Sequence, residues 1–383
     1  MKIIYVTDTF LPEVNGVVIS VKNFSQRLAK KGHQIYIFTT KRKGSEKIEM
    51  GNNIEVKCFP ATSKFINYPN FKTSYPNTLS IFREVKRIKP DIIHIHTPSP
   101  QSWSALIVAK KYKIPVIATY HTFLPDFIKH TLLGKIVLAS ILKEAARRYT
   151  KFFHNYLDLV IVPSRIIREE LIKEGVKKPI EIISNGIDVS FFSCPLRKSV
   201  NNEVKLLHLG RISYEKNIDV ILKAMAYNKE KGFRALLDII GGGPDFDKLR
   251  KLARKLNISE LVHFKGPIEH EEINKIYCGH DIFITASSIE TEGIVVLEAM
   301  AAGLSIIGVK KLALLDLIKS DLNGYLAQSG NYKEIAKYIR ILSKDNGKRE
   351  RFGSKSIEIS KQFSLGLSIE KIENIYKKLT NKN

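Results

Sequence analysis

Cysteine is scarce in this chain of 383 residues. Cys58, Cys194 and Cys278 are scattered at spacings that match neither a metal-ligand set nor a disulfide framework. A reducing, cytoplasmic setting is the expectation. Long apolar runs are also missing, and none approaches the ~20 residues needed to cross a bilayer. No signal peptide is expected, because Lys2 leads at once into the strand-like Ile3-Ile4-Tyr5-Val6. Acidic residues are outnumbered by basic ones, 38 to 62, for a net charge of +24. Residues 1–190 carry +15 and residues 191–383 carry +9. Such an excess suits nucleic acid, an anionic lipid surface or a lysine-rich proteome, and charge alone does not choose. Helix-turn-helix, zinc and RNA-recognition signatures are absent, so nucleic acid is not an expected partner despite a pI of 9.7. Absence of a Gly-x-Gly-x-x-Gly string argues against an NAD site.

What is present is a globular composition, 44% apolar, in a chain long enough for two domains. Apolar strands alternate with helical patterns throughout. Lys2–Thr7, Gln34–Thr39, Ile54–Phe59, Asp91–His96, Ile114–Tyr120 and Leu157–Val162 read as strands in the first half. Helical periodicity marks Gly16–Lys31, Thr78–Lys89, Ser102–Lys113 and Ser164–Gly175. In the second half, Val204–Leu209, Leu236–Ile240, Leu261–Phe264, Asp281–Thr285 and Ser305–Val309 repeat the strand rhythm. The fold class is α/β, with two doubly wound parallel sheets. The polar stretch Cys194-Pro195-Leu196-Arg197-Lys198-Ser199-Val200-Asn201-Asn202 reads as a linker. Domains are expected at 1–190 and 191–365. A last helix has Ile369, Ile372, Ile375, Tyr376 and Leu379 on one face.

The most informative string is Ser287-Ser288-Ile289-Glu290-Thr291-Glu292-Gly293-Ile294-Val295-Val296-Leu297-Glu298-Ala299-Met300-Ala301-Ala302-Gly303. A buried strand at 281–286, a turn at Gly293 and an apolar helix from Ile294 make an anion site at a helix N-terminus. Glu290 falls before that site and Glu298 one turn into the helix, separated by about 10 Å. A ligand with phosphates in the middle and hydroxyls at both ends, such as a sugar nucleotide, fits that layout. Taken alone, two glutamates eight residues apart also describe an ordinary loop and helix. The whole string resembles the E-x7-E signature of family-4 retaining glycosyltransferases. Its nearest likeness is to the glycolipid-forming diacylglycerol glucosyltransferases.

That resemblance implies the GT-B architecture, two Rossmann-like domains facing an active-site cleft, with the final helix (366–383) crossing back onto the N-terminal domain. Leu209-Gly210-Arg211-Ile212-Ser213-Tyr214-Glu215-Lys216-Asn217 resembles the family's diphosphate-binding motif, with Arg211 and Lys216 at the carboxyl edge of a strand. Gly293 and Ile294 amides are implied to assist them, with Glu290 on the sugar hydroxyls and Glu298 on the ribose. The loop Asn15-Gly16-Val17-Val18 is implied to close over the phosphates through the Gly16 N–H. His121, in Ala118-Thr119-Tyr120-His121-Thr122, matches the histidine that contacts the donor sugar, and Asp126 an acidic position of glycolipid-forming members. Gly241-Gly242-Gly243-Pro244 resembles a turn that serves either as phosphate cradle, through Gly242, or as simple helix entry. Ile268 lies where the family reads the base.

Two patterns invite a metal and are read otherwise. His94 and His96 alternate on one strand, but no third ligand is apparent, and one of them is expected to face the core. Asp245-Phe246-Asp247 opens a helix, where capping and compensation of the helix dipole account for it. No metal or other cofactor is expected, the sugar nucleotide being a substrate.

Residues 127–154 carry an apolar stripe (Leu132, Leu133, Ile136, Val137, Ile141, Leu142, Ala145, Tyr149, Phe152, Phe153) and six cations, Lys129, Lys135, Lys143, Arg147, Arg148 and Lys151, against Glu144 alone. Such a helix either packs on the sheet or lies in a membrane interface. The aromatic loop Phe65-Ile66-Asn67-Tyr68-Pro69-Asn70-Phe71 and the charge excess favour an anionic membrane surface, through Lys143, Arg147, Arg148 and Lys151. The expected activity is therefore transfer of a hexose, glucose from UDP-glucose, to a lipid such as diacylglycerol, peripherally on the inner face of the plasma membrane. Transfer of mannose from GDP-mannose to phosphatidylinositol, or transfer to a soluble sugar, is the alternative.

Overall fold

The computed structural model describes residues 1–13, 15–42, 44–45, 48–62, 72–121, 136–194 and 204–381, the side chains of 136–140 and 270 excepted. Asp126, the aromatic loop 65–71, the stretch 127–135 with Lys129 and Lys135, and the linker residues 195–202 lie outside them. The chain divides into two compact units, Met1–Asn185 with Gly366–Asn383, and Gly186–Leu365. The boundary expected from sequence is at 190/191.

In the first unit, β1 (Lys2–Val6), β2 (Gln34–Thr40) and β3 (Ile54–Phe59) are followed by a short antiparallel pair, β4 (Ala61–Thr62) and β5 (Thr73–Ser74). Then come β6 (Ile92–Ile95), β7 (Val116–Thr119), β8 (Leu159–Val162) and β9 (Ile180–Ile182). The main sheet is parallel, in the order β3-β2-β1-β6-β7-β8-β9. Its centre is covered on both faces, so β1 from Ile3 onward and β6 throughout, His94 included, are buried without alternation. The order reverses between β1 and β6, and open α/β sheets bind ligands at the carboxyl ends flanking such a reversal. Helix Gly16–Lys30 starts where the Asn15 side chain accepts from Val18 N. Helix Pro100–Tyr112 starts on Ser99, with Pro100 pre-set for the first helical position.

Helix Leu365–Thr380 runs back into the first unit from Gly366 onward. It buries Ile369, Ile372 and Tyr376. The Tyr376 hydroxyl sits 2.6 Å from His94 Nδ1 and 3.3 Å from the Tyr5 hydroxyl, while Glu373 accepts from both Lys31 and Lys377.

The second unit holds β10 (Lys205–Leu209), β11 (Leu236–Ile240), β12 (Val262–Gly266), β13 (Ile282–Ile284), β14 (Ser305–Val309) and β15 (Gly324–Ala327). All are parallel, in the order β12-β11-β10-β13-β14-β15, so the reversal falls between β10 and β13. The strands β9 and β15 are not expected from sequence. Both are edge strands; β9 is three residues long and largely solvated. β15 opens on Gly324, which reads as a turn residue but is glycine because a Cβ there would stand 2.1 Å from Ile306 O.

The reading of the cysteines is corrected. Cys194 and Cys278 form a disulfide across 84 residues, leaving Cys58 free. The pairing joins the exit of helix Val189–Phe192 to the end of helix Ile273–Cys278, a tertiary adjacency that spacing does not reveal. Cysteine content thus no longer argues for a reducing compartment.

Candidate active site

The carboxyl edge of β10 passes into Gly210-Arg211, and a 3-10 turn, Tyr214–Lys216, follows. Asn217 ends that turn in the left-handed conformation, and its Nδ2 donates to Ala286 O at 3.2 Å. Ser288 N donates to Glu215 O at 3.2 Å, so the 215–217 and 286–288 loops are stitched together across the switch point. This stitching delivers Lys216 Nζ onto Glu290 Oε1 in a close ion pair whose side chains are only 20% and 15% exposed. Burial pushes the Glu290 carboxyl up, but the adjacent Lys216 ammonium, with Ser287 and His208, more than offsets it, and the net effect lowers its pKa. Glu290 therefore stays ionised in a nearly dry setting.

His208, inside β10, is not singled out by the sequence. Its Nδ1 donates to Ile284 O at 2.9 Å, and burial lowers its pKa to about 4. Nε2 is consequently a bare acceptor, buried without a hydrogen-bond partner among the described residues and within electrostatic reach of Lys216 and Glu290. A histidine in a run of Leu-Leu-His-Leu reads as core, which is why pattern alone passes over it.

Gly293, with φ of 76°, turns the chain into helix Ile294–Ala301. Glu298 lies in that helix, and burial raises its carboxyl to about 7 against the lowering effect of the Tyr277 hydroxyl, 2.7 Å from Oε2. Tyr277 likewise escapes a sequence reading, since it looks like one more core aromatic. Gly241 and Gly243 are obligatory for packing: a Cβ would lie 1.9 Å from Gly210 O and 2.1 Å from Ile212 O. Ile212 N donates to Gly242 O at 2.9 Å, which presses this turn against the Arg211 loop. Arg211 itself is exposed, and Ile268 is partly buried against the unit's core. Asp245 sits at the N-cap of helix Phe246–Lys255, but its side chain makes no capping hydrogen bond, so only the dipole argument, with Asp247 in the first turn, stands.

In the first unit, Gly16 is exposed at the start of its helix. Its approach loop is held by Glu13, which pairs with Arg42 and accepts from Thr9 Oγ1 at 2.7 Å. His121 follows β7, with Nε2 2.9 Å from His96 Nδ1 and the two rings stacked. Both strand histidines are buried, not one of them: His94 meets Tyr376 and Thr119, and His96 meets His121. No group of side chains able to hold a metal ion occurs among the described residues.

The basic segment is helical over Ile136–His154. Its buried side carries Ala146, Thr150, Phe153 and His154. Arg148 is highly exposed beside Glu144, whereas Arg147 reaches buried Glu174 at 3.6 Å and Lys151 lies against Gly175. Phe152 and Tyr156, 54% and 47% exposed, pack tilted or edge-on about Trp103 together with buried Phe153. No helix of the described residues is long and apolar enough to cross a membrane.

Residues 14–191 match the model of Glycosyltransferase Family 4, and residues 197–358 that of Glycosyl transferases group 1. The alpha-monoglucosyldiacylglycerol synthase of Streptococcus pneumoniae is 33% identical over 338 residues, covering 85% of this chain and 75% of that protein. The enzyme of the same name from Acholeplasma laidlawii is 28% identical over 416 residues, covering 100% and 98%. Among solved structures, sucrose-phosphate synthase from Thermosynechococcus elongatus superposes with a TM-score of 0.83 at 18% identity, covering 100% of both chains. Fold and relatives together define a nucleotide-sugar-dependent glycosyltransferase of the GT-B class. More particularly, the chain belongs to glycosyltransferase family 4, close to its glycolipid synthases.

Proposed function

We propose that this protein transfers glucose from UDP-glucose, with retention, to the hydroxyl of a lipid such as diacylglycerol, working peripherally at an anionic membrane face. The observation that carries the donor half is the buried Lys216–Glu290 pair at the β10/β13 switch point. The cation is placed for a diphosphate and the carboxylate for sugar hydroxyls, and each neutralises the other until donor arrives. Two relatives named as monoglucosyldiacylglycerol synthases support the lipid half.

In this reading Arg211, Lys216 and the Gly293–Ile294 amides take up charge as the bond from the anomeric carbon to the diphosphate oxygen breaks. The acceptor oxygen bonds to that carbon from the face the diphosphate leaves, and its proton passes to a phosphate oxygen. UDP and the glycoside are the products. In the second unit Glu290 holds the hexose, Glu298 holds the ribose, Gly242 lies along the phosphates and Ile268 lies by the base, while the family resemblance assigns His121 and Gly16 of the first unit to the donor. The deciding experiment incubates the protein with UDP-glucose, UDP-galactose and GDP-mannose against extracted lipids. Product from UDP-glucose and diacylglycerol alone supports the reading, and product only from GDP-mannose and phosphatidylinositol replaces it.

Calorimetry with UDP separates the two glutamates. Glu298→Gln should weaken UDP binding, while Glu290→Gln should leave it nearly intact and lower kcat, because UDP has ribose but no hexose. Equal losses in both would contradict these roles. A carboxyl that titrates at about 7 also gives UDP binding a pH dependence. If ribose hydroxyls donate to the ionised form, affinity should be full above pH 7 and fall about tenfold per unit below it. Glu298→Gln should flatten that profile.

No step here uses a metal. Activity should survive EDTA, and abolition by EDTA with recovery on Mg²⁺ or Mn²⁺ would bring Asp245 and Asp247 back as ligand candidates.

A further inference from the structure

A cavity of about 70 Å³ lies in the first unit, between the carboxyl ends of β6 and β7 and helix Ile136–His154. His96, Tyr120, His121, Thr150, Phe153 and His154 are on its wall, and among the described residues no lysine, arginine, aspartate or glutamate is. Its histidines are not cations in disguise. Burial drives His96 far below the ordinary imidazole value and lowers His121 and His154 to about 4.

A hydrogen-bonding atom of this wall lacks a partner among the described residues. His154 Nδ1 is 2.7 Å from Thr150 O, and a carbonyl only accepts, so Nδ1 carries the proton and Nε2 is bare. Between His96 Nδ1 and His121 Nε2 a single proton is shared, and either ring can hold it. Accordingly His96 Nε2 is an acceptor in one tautomer and a donor in the other. It is buried and has no partner among the described residues in either case. An unsatisfied buried nitrogen on a cavity wall calls for a ligand atom.

A hydroxyl both donates and accepts, so it satisfies His96 Nε2 whichever tautomer is present. A phosphate only accepts, and it brings charge to a wall whose described residues include no cation to meet it. The far side of the cavity is apolar. Phe153 is fully buried there and packs on Trp103, with ring centroids 5.1 Å apart. Trp103 in turn touches the half-exposed rings of Phe152 and Tyr156 at 5.5 and 5.7 Å. Neutral hydrogen-bonding wall, apolar back and exposed aromatic surface thus follow one another without interruption.

We propose that this cavity receives the alcohol end of the acceptor, and that it selects an uncharged hydroxyl on a small carbon skeleton continuing into an apolar chain. Diacylglycerol-like lipids fit, and lipids with a phosphate next to the reacting hydroxyl do not. His96 acts as a positioning residue that orients the alcohol, while the transferred proton goes to the departing diphosphate. The inference rests on the lipid-acceptor reading given above and narrows it.

The test uses the full chain with UDP-glucose and three water-dispersible acceptors: dihexanoylglycerol, dihexanoyl phosphatidylinositol and glycerol 3-phosphate. Wild type should favour dihexanoylglycerol in kcat/KM by at least about tenfold, the worth of one satisfied hydrogen bond. His96→Leu should raise the KM for dihexanoylglycerol by about the same factor with UDP affinity unchanged, and His96→Gln, which keeps a donor and an acceptor, should recover most of the loss. Ala118→Val, which narrows the cavity without touching a hydrogen bond, should also raise the acceptor KM, and it decides the question if His96→Leu does not fold. Unchanged acceptor KM in the folded variants overturns the cavity assignment and leaves the transferase reading standing. So does a wild-type preference for the phosphate-bearing acceptors. If wild type glucosylates no lipid at all, the lipid reading fails first and the inference falls with it.

Discussion

Replacing Lys216 with alanine should lower kcat/KM by about two to three orders of magnitude, the usual cost of removing a charge contact made to the transition state. Two effects add. The departing diphosphate loses a cation, and Glu290, only 15% exposed, loses the ion partner that keeps it charged. Without Lys216, burial is opposed by the weaker influences of Ser287 and His208, so Glu290 takes up a proton more readily and holds sugar hydroxyls less well. Arg211→Ala should follow in direction and be milder, because Arg211 is exposed. The fold should be retained in both. The turn that carries Lys216 is stitched by Asn217 Nδ2 to Ala286 O and by Ser288 N to Glu215 O, none of which uses the lysine side chain. Melting temperature and kcat/KM for each sugar nucleotide measure the outcome. Near wild-type turnover in both variants with every donor tested would sink the assignment.

The Lys216–Glu290 pair also marks how far the sequence can be read. The two residues are 74 apart, and each stands out within its own motif at its own strand end. Parallel sheets make both legible, since every strand delivers its loop to the same edge. Strand positions are legible for the same reason: central strands buried on both faces are uninterrupted apolar runs, as in Ile3–Val6 or Ile282–Ile284. Where a strand lies at an edge and is solvated, as β9 does, that signal vanishes. Side chains that serve a site from inside the core are illegible in principle. His208 and Tyr277 look like packing until β10 and helix Ile273–Cys278 place them beside Glu290 and Glu298. The disulfide between Cys194 and Cys278 escapes on the same ground, since helix ends far apart in the chain meet only in the fold.

A membrane-facing role for the basic helix predicts a loss of comparable size, on conditions that the structure refines. Of the four cations proposed to dock, Arg147 reaches buried Glu174, and reversing it would set a second carboxylate against that poorly solvated one. The informative variant therefore reverses Lys143, Arg148 and Lys151 and leaves Arg147 alone. Each cation near an anionic leaflet contributes about 1 kcal/mol, so removing three should weaken binding to vesicles rich in phosphatidylglycerol by about a hundredfold or more. Salt should erode the wild-type affinity in the same sense. The apolar part has its own handle. Phe152 and Tyr156 are half-exposed around Trp103, and Ile107 is 59% exposed on helix Pro100–Tyr112. Phe152→Ser should lower vesicle affinity without changing its salt dependence, because the loss is of buried apolar area and not of charge. Neither variant touches the second unit, so UDP binding should remain as in wild type. Transfer to acceptor presented in bilayers should drop with vesicle affinity, while dihexanoylglycerol free in solution should be used nearly as before. Flotation with vesicles of defined anionic content measures the first effect and product formation the second. The docking role is lost if the charge-reversed protein floats with anionic vesicles as wild type does, or if wild type ignores them.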